Sequence, residues 1–355
     1  MSALIDIQRL VECESPTEDL TACHQVIDLA VEISNTRLKP IAQKLNENNR
    51  PVFWWGAKNP KIVLLCHLDT VWPIGSFLPT WQVNGDHASG PGVFDMKTGF
   101  IQAMHALIGI EGAEGKVALV ATTDEETGSA TSKDLINRLA KDADAVLVFE
   151  ASLDGKVKTG RKGTAMYKVK VTGLASHAGL DPEKGINATT EMAKLVLQIA
   201  ALENPAFGTT AVPTVMKSGT TTNTVPALAT LDIDVRSFTS AELERIDKSI
   251  RNLKSDIAKV EVTGGINRPP LEEVNTLALY EKLETVAASL AIPKIGKASV
   301  GGASDGNIAA AAGAQVLDGL GAEGHGAHAP NEFIKISTVE PRIKLINAFI
   351  NELLK

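Results

Sequence analysis

Three short stretches of the chain place histidine, aspartate and glutamate at spacings that suit metal-dependent hydrolysis. They are CHLDT at 66–70, GPGVFDMKTG at 90–99 and TDEETG at 123–128. Each lies near the downstream end of an apolar run, where an open α/β sheet gathers its reactive groups. Glu150 ends a further apolar run, and His328 lies in the glycine-rich segment GHGAH. Together these residues predict a hydrolytic metal site.

The histidine of the first stretch is followed by a carboxylate two residues later. Alternate residues of an extended segment share a side, so Asp69 can approach the imidazole of His67. A carboxylate that is hydrogen-bonded to a ligand histidine fixes its tautomer and raises its basicity. Taken alone, His67 is also compatible with an ordinary buried histidine at a strand end.

The acidic residues of the other two stretches have alternatives of the same kind. Asp95 lies between Gly92 and Gly99, where the chain can bend and expose a carboxylate, although an isolated aspartate there is also typical of a helix N-cap. Glu125 and Glu126 follow an apolar strand, and adjacent carboxylates repel unless a cation or a shared proton compensates. One can bind metal while the other accepts a proton from water. A solvated acidic turn explains one cluster alone, but not the combination.

Composition sets the broad class. The 355 residues are 44% apolar, which allows a large core, and the length predicts two domains. The net charge of −7 without long charge runs argues against a nucleic-acid partner and favours a small molecule. The cysteines show no CxxC spacing, so we expect a reducing cytoplasm without disulfides. No segment reaches membrane-spanning length, so no membrane partner is expected.

Apolar runs and helical stretches alternate from 61 to 150, which predicts a largely parallel sheet covered by helices. The predicted strands are 61–67, 116–123 and 145–150, with helices at 98–110 and 129–141 between them. A helix at 275–290, a strand at 315–318 and a helix at 338–354 restore this alternation near the end. The fold class is therefore α/β.

The pattern changes in the middle of the chain, because 166–172 alternates apolar and polar residues like a strand exposed on one face. The predicted elements there are strands at 165–173, 210–217, 226–237 and 258–264 and helices at 186–202 and 240–256. This order predicts an inserted ferredoxin-like α+β domain. We place the catalytic domain at 1–162 and 270–355 and the inserted domain at 163–269.

In this order, the motifs resemble those of the co-catalytic di-zinc aminoacyl hydrolases, which include glutamate carboxypeptidase, acetylornithine deacetylase, succinyl-diaminopimelate desuccinylase and aminoacylase. The resemblance spans nearly the whole chain and includes SHAG at 176–179, DIDVR at 232–236 and GGASD at 301–305. It implies an enzyme with two zinc ions, which cobalt or manganese could replace. The inserted domain corresponds to the family's lid and dimerisation domain, so a homodimer is expected.

The resemblance also implies which side chains hold the metal. Asp95 would bridge the two zinc ions. Glu126 and His328 would complete one site, and His67 and Glu150 would complete the other. The bridged ions in such sites lie roughly 3.5 to 4 Å apart.

Further roles follow from the same resemblance. Glu125 would be the general base and Asp69 the partner of His67. His177 matches the family's lid histidine, which reaches a neighbouring subunit's site and stabilises the tetrahedral oxyanion. His325 lies three residues before His328 and could substitute for it as a ligand, but the family pattern places the ligand nearer Glu332, which favours His328.

Three residues are expected to bind substrate. Asn223 and Arg236 match residues that line the family's substrate pocket, with the arginine gripping a terminal carboxylate. A salt bridge on a strand surface is the alternative for Arg236. Gly302 lies in a glycine-rich turn that lacks the ending of a phosphate-binding loop, so we interpret it as a substrate-pocket turn.

The expected reaction is hydrolysis of an amide bond adjacent to a free carboxylate by zinc-activated hydroxide. Glutamate rather than aspartate at Glu150 favours the glutamate carboxypeptidase branch of metallopeptidases, with a small peptide as substrate. An N-acyl-amino-acid deacylase resembling acetylornithine deacetylase is the alternative. A catalytically silent metal- or ligand-binding protein is a third class, and the retention of Glu125 and of every ligand argues against it.

Overall fold

Along the chain, helices alternate with strands before and after a continuous middle segment that is built on an antiparallel sheet. The computed structural model describes residues 2–355. Its α-helices are α1 (Ser2–Glu12), α2 (Leu20–Arg37), α3 (Thr98–Ala106), α4 (Lys133–Lys141), α5 (Ala188–Ala200), α6 (Ser240–Arg251), α7 (Leu277–Ser289), α8 (Asp305–Ala311) and α9 (Val339–Leu353). Its strands are β1 (Gln43–Glu47), β2 (Arg50–Gly56), β3 (Ile62–His67), β4 (Gln82–Asn84), β5 (His87–Ser89), β6 (Val117–Thr122), β7 (Ala145–Val148), β8 (Val157–Arg161), β9 (Gly163–Thr172), β10 (Thr210–Ser218), β11 (Leu228–Ser237), β12 (Lys259–Arg268), β13 (Lys297–Val300), β14 (Val316–Leu317), β15 (Gly324–His325) and β16 (Phe333–Lys335).

The chain divides into two compact units. The first comprises the residues up to Gly160 together with Glu272–Val300 and Ser304–Lys355, and the second comprises Arg161–Leu271 with Gly301–Ala303. The turn that contains Gly302 therefore belongs to the second unit. Arg161, also in the second unit, holds this turn, because its Nη1 donates to the carbonyl oxygens of Gly302 at 3.1 Å and Ala303 at 3.3 Å.

The central sheet of the first unit has the order β1-β2-β6-β3-β7-β14. Every residue of β3, β6 and β7 is buried, as expected for apolar strands covered on both faces. β3 pairs in parallel with β6 and β7, and β14 pairs in parallel with β7. The carboxyl ends of β3 and β6 therefore meet at one edge of the sheet.

The sheet is mixed, whereas the sequence predicts a largely parallel one. The difference is the hairpin of β1 and β2, which adds two antiparallel pairings beside β6. Asn48 and Asn49 form its turn with φ angles of 49° and 68°. Asparagine tolerates positive φ better than most residues, and two-residue hairpin turns often require it. The run of polar residues at 46–50 hides this hairpin from a search for apolar periodicity.

The helix after the second motif anchors the core. All residues of α3 are buried, and the helix packs against α1 and α9. Phe100 meets Phe53 of β2 edge to face, with ring centroids 4.9 Å apart. A Cβ atom at Gly99 would collide with the carbonyl oxygen of Phe149, so glycine lets α3 approach the end of β7 closely. Truncation of a buried phenylalanine such as Phe100 to alanine costs about 3–5 kcal/mol.

One predicted helix, 129–141, begins later than expected, at Lys133. Its first residues instead form a turn around Asp124. Oδ2 of Asp124 accepts hydrogen bonds from the backbone N–H groups of Thr131 at 2.7 Å and Ser132 at 3.2 Å. Asp124 thereby fixes the turn that carries the neighbouring glutamates.

The second unit is built on a four-stranded sheet with the order β10-β11-β9-β12, in which every pairing is antiparallel. Along the chain its elements follow the order strand, helix, strand, strand, helix, strand. α5 and α6 bury one face of the sheet, where Val169 and Val171 lie in the core, while Lys168 and Lys170 point to the exposed face. Among the described residues, no helix combines the length and the apolar character that a membrane span needs.

Candidate active site

His67 lies at the last position of β3, and each of its ring nitrogens faces a carboxylate. Nδ1 lies 3.5 Å from Oδ1 of Asp69 and 3.1 Å from the Asp69 carbonyl oxygen. Nε2 lies 3.4 Å from Oδ1 of Asp95 and 3.5 Å from Oε1 of Glu150. The imidazole is only 2% exposed, so burial and these partners fix its orientation.

The Asp95 carboxylate lies between two imidazoles. Oδ1 faces Nε2 of His67, and Oδ2 faces Nε2 of His328, each at 3.4 Å. Gly92, with φ 74°, makes a bend three residues before Asp95, and the Asp95–Met96 peptide bond is cis. Oδ1 of Asp95 is buried and accepts no hydrogen bond from the described residues. A buried carboxylate oxygen of this kind favours a cation beside it.

The second imidazole, His328, has its own carboxylate partner. Its Nε2 lies 3.0 Å from Oε2 of Glu126, whose side chain is 6% exposed. His328 itself is half exposed and has a positive φ of 60°. His325, the other candidate ligand, instead pairs with Phe333 in the β15–β16 ladder. The structure thus brings His328 rather than His325 to Asp95 and Glu126.

The charges in this site perturb one another strongly. Burial opposes protonation of His67, but Asp69, Asp95 and Glu150 outweigh it and raise the pKa of this imidazole. Hydrogen bonds to Asp95 and Glu126 raise the pKa of His328 to about 10.

The carboxyl groups shift as well. Desolvation raises the pKa of Glu126. Desolvation also acts on Asp95, but the two flanking histidines prevail and lower the pKa of that carboxyl. The carboxylates of Asp95, Glu126 and Glu150 face the same two imidazoles, and such crowding requires compensating positive charge. Among the described residues, ligand atoms of His67, Asp95 and Glu126 lie within 4.8 Å of one another, close enough to share one metal ion.

Asp69 joins the first and third motifs. Its Oδ2 accepts the backbone N–H of Glu126 at 3.2 Å and the hydroxyl of Thr17 at 2.8 Å. Its Oδ1 accepts the backbone N–H of Glu125 at 3.4 Å. Asp69 is fully buried, so one carboxylate orients both the His67 imidazole and the turn that carries the two glutamates. Glu125 lies half-buried at the start of this turn, directly before Glu126.

Glu332 has a role that the sequence analysis does not predict. Oε1 accepts the backbone N–H groups of Phe94 at 2.9 Å and Asp95 at 3.1 Å. Oε2 accepts the N–H of Gly92 at 3.2 Å and the indole N–H of Trp72 at 3.0 Å. Burial raises the pKa of Glu332 to about 7. The signal available in the sequence was an acidic residue four positions after His328.

The remaining predicted site residues lie in the second unit. His177 is exposed, and its Nδ1 accepts the backbone N–H groups of Gly179 at 3.2 Å and Leu180 at 3.1 Å. A neutral imidazole that accepts through Nδ1 carries its proton on Nε2, so His177 presents a donor. Asn223 lies beside His177, because the backbone carbonyl oxygen of Asn223 accepts the N–H of Ala178 at 2.9 Å.

Arg236 extends from β11 and is paired within its own strand. Its Nε donates to Oδ1 of Asp234 at 3.0 Å, and Nη2 donates to Oδ2 at 3.3 Å. Nη1 donates to the carbonyl oxygen of Gly301 at 3.4 Å, beside Gly302. The Arg236 side chain as a whole is 39% exposed.

Comparison with known proteins agrees with the motifs. Residues 63–352 match the model of Peptidase family M20/M25/M40. The chain is 34% identical over 320 residues to carboxypeptidase G2 of Pseudomonas sp. (strain RS-16), covering 84% of this chain and 74% of that protein. It is 26% identical to succinyl-diaminopimelate desuccinylase of Sulfurovum sp. (strain NBC37-1), covering 80% and 81%.

The fold also agrees with that of a solved structure. The aminopeptidase PepT of Bacillus cereus ATCC 10987 superposes with a TM-score of 0.78 at 19% identity, covering 99% of this chain and 98% of that one. The match to the family model and the relationship to carboxypeptidase G2 confirm the family resemblance inferred from the motifs. The chain belongs to the M20/M25/M40 family of peptidases.

Proposed function

We propose that the protein is a metal-dependent hydrolase that cleaves an amide bond adjacent to a free carboxylate, as a glutamate carboxypeptidase-like metallopeptidase. The observation that carries this proposal is the position of the Asp95 carboxylate between His67 and His328, each of which also faces a second carboxylate. Two half-sites that share one carboxylate are typical of sites for paired metal ions. The 34% identity to carboxypeptidase G2 supports the carboxypeptidase branch.

The donor set fits two metal ions. His67 and Glu150 would hold one ion, His328 and Glu126 the other, and Asp95 both. Imidazole and carboxylate donors suit zinc, and cobalt or manganese are the alternatives. Metal ions bound here supply Lewis acidity, which polarises the scissile carbonyl and makes water easier to deprotonate.

The chain's own residues would then move protons and orient groups. Glu125 accepts the proton of the attacking water and passes it to the leaving amine, as a general base and then a general acid. Asp69 keeps the Nδ1 proton of His67 in place, so that the Nε2 lone pair is the one available for coordination. In the second unit, the exposed Nε2–H of His177 would stabilise the oxyanion. Arg236, with Asn223 and Gly302, would bind the substrate's carboxylate.

We also propose that the second unit is the lid and dimerisation domain and that the protein is a homodimer. Among the described residues, its strand β10 pairs only with β11, so β10 forms an edge of the sheet that a second copy could pair with. Val212, Val215 and Met216 of this strand are 42%, 47% and 43% exposed. A long edge strand with exposed apolar residues favours association. Light scattering of the purified protein tests this, and a monomeric mass would contradict it.

The test of the catalytic proposal is metal analysis of the purified protein beside a hydrolysis screen. The screen offers peptides and conjugates with a C-terminal glutamate and a set of N-acyl amino acids, each with and without chelator. Two metal equivalents and chelator-sensitive release of glutamate are expected. Release from small N-acyl amino acids alone would instead support a deacylase, to which the relationship with succinyl-diaminopimelate desuccinylase also points. Absence of both metal and turnover after zinc reconstitution would support a catalytically silent protein.

A further inference from the structure

A pocket of about 670 Å³ opens beside Glu126 in the first unit. One wall is the segment that leads into α2, with Pro16 and Leu20, and the other is the loop after the first motif, with Val71 and Ile74. A volume of this size suits a small organic group. Glu126 is both a candidate metal ligand and part of the lining, so the pocket borders the proposed site.

The two walls are tied together before any ligand binds. The N–H of Thr17 donates to the carbonyl oxygen of Thr70 at 3.1 Å, and the N–H of Thr70 donates to that of Ser15 at 2.8 Å. The hydroxyl of Ser15 donates to the carbonyl oxygen of Leu68 at 2.6 Å. These bonds hold the pocket beside the strand end that carries His67, so a ligand need not order it.

The pocket is lined by polar and apolar residues, and three of its apolar side chains are exposed. Leu20, Val71 and Ile74 are 42%, 39% and 59% exposed and lie together around one opening, with Pro73 between the last two. Single exposed apolar residues are ordinary, but a group of them around a concave opening is typical of a binding site for an apolar ligand.

The charged residues at the pocket exclude one end of the proposed substrate. Glu18, Asp19 and Glu126 are its charged lining residues, and none of the lining residues is basic. A free carboxylate needs donors or a cation, and here it would meet the carboxylates of Glu18 and Asp19, neither of which is a candidate metal ligand. The amino-acid end of an amide substrate therefore does not fit this pocket, whereas an uncharged acyl end does.

We infer that this pocket binds the acyl side of the substrate and that it selects uncharged, apolar acyl groups larger than acetyl over acidic ones such as succinyl. The inference rests on the proposed function and assigns its acyl specificity to named residues. Ile74 is the specificity-determining residue, because it is the most exposed of the three apolar side chains at the opening.

The experiment measures kcat/KM of the metal-loaded protein on N-acetyl-, N-isovaleryl-, N-benzoyl- and N-succinyl-glutamate. Isovaleryl and benzoyl compounds should exceed the acetyl compound by at least about tenfold, since additional apolar groups in such a pocket give discrimination of this order. The succinyl compound should fall below the acetyl compound.

A matched pair of variants tests the residue assignment. Ile74→Lys should lower kcat/KM for the isovaleryl and benzoyl compounds about tenfold and raise the ratio of succinyl to benzoyl turnover by at least as much. Ile5 in α1 is also 59% exposed and does not line the pocket, so Ile5→Lys introduces the same charge at the same exposure and should leave all four values unchanged.

The outcomes separate the two proposals. Turnover with equal kcat/KM across the four acyl groups, or an Ile74→Lys variant that behaves like Ile5→Lys, would overturn the pocket assignment while the hydrolase stands. Failure to hydrolyse any of the four compounds or the peptides of the screen would overturn the proposed function and this assignment with it.

Discussion

Glu332 holds the backbone of Asp95 in place: the N–H of Asp95 donates to Oε1 of Glu332 at 3.1 Å. The same oxygen accepts the N–H of Phe94, and the carboxylate is fully buried. The loop that carries the candidate bridging ligand is thus folded around an acidic side chain, both of whose oxygens accept N–H donors. The conformation of Asp95 therefore depends on a residue from the far end of the chain.

We predict that Glu332→Gln weakens metal binding about tenfold to a hundredfold, a typical effect of removing a group that orients a ligand. Glutamine has one acceptor oxygen, whereas four N–H donors converge on the Glu332 carboxylate. A buried donor left without a partner costs about 1–3 kcal/mol. The measurement is a zinc titration against a competing chelator. Glu111→Gln, at an exposed position, is the control, and equal affinities for the two variants would contradict the role of Glu332.

Trp72→Phe should weaken zinc binding in the same way as Glu332→Gln, but less. This change keeps an aromatic ring against Phe77 and removes the indole N–H that donates to Glu332. Because the other three donors remain, the loss of zinc affinity should be smaller than in Glu332→Gln. A loss as large as that of Glu332→Gln would show that Trp72 acts through something other than this hydrogen bond.

The sequence predicts the clustering of the candidate ligands much better than it predicts the groups that surround them. His67 and Glu126 follow strands β3 and β6, which are parallel neighbours, so their approach follows from the pairing of the apolar runs. Glu332 is different, because its partner Gly92 is 240 positions away and no local pattern marks the contact. The ion pair of Arg236 with Asp234 likewise depends on side-chain conformations that a motif cannot specify.

We expect Glu125→Ala to retain its metal and to lose hydrolysis by a factor of about 10² to 10⁴, the usual contribution of a general acid–base group. Glu125 is adjacent to Glu126 and is anchored through its backbone N–H to Asp69, so the substitution leaves the turn in place. Metal analysis and kcat on the same preparation make the test. Near-normal kcat in this variant would show that another residue takes the proton.

Asp95→Ala should behave in the opposite way and lose the metal itself. Its two carboxylate oxygens face different histidines, so one substitution removes a ligand from both proposed ions. Metal content should fall from about two equivalents to nearly none, because both sites share this carboxylate. Retention of one full equivalent would mean that Asp95 serves a single ion, and the bridging assignment would then be wrong.

The pKa of His328, raised to about 10 from its ordinary 6.5, predicts how metal binding depends on pH. Without metal, the His328 imidazole is protonated near neutral pH and must lose its proton to coordinate, and the raised pKa of His67 acts in the same direction. Apparent zinc affinity should therefore rise with pH, by about tenfold per pH unit for each proton released, and zinc uptake should acidify a weakly buffered solution.

Stability of the metal-free protein should change in the reverse direction. A histidine whose pKa is raised on folding stabilises the folded state below its ordinary pKa of 6.5, and this contribution disappears as the pH rises through about 10. The Tm of chelated protein should therefore fall as the pH rises from about 6.5 to about 9, while that of metal-loaded protein should not follow it. His328→Ala should flatten the metal-free profile. A metal-free Tm that is constant across this range would contradict the close pairing of His328 with Asp95 and Glu126.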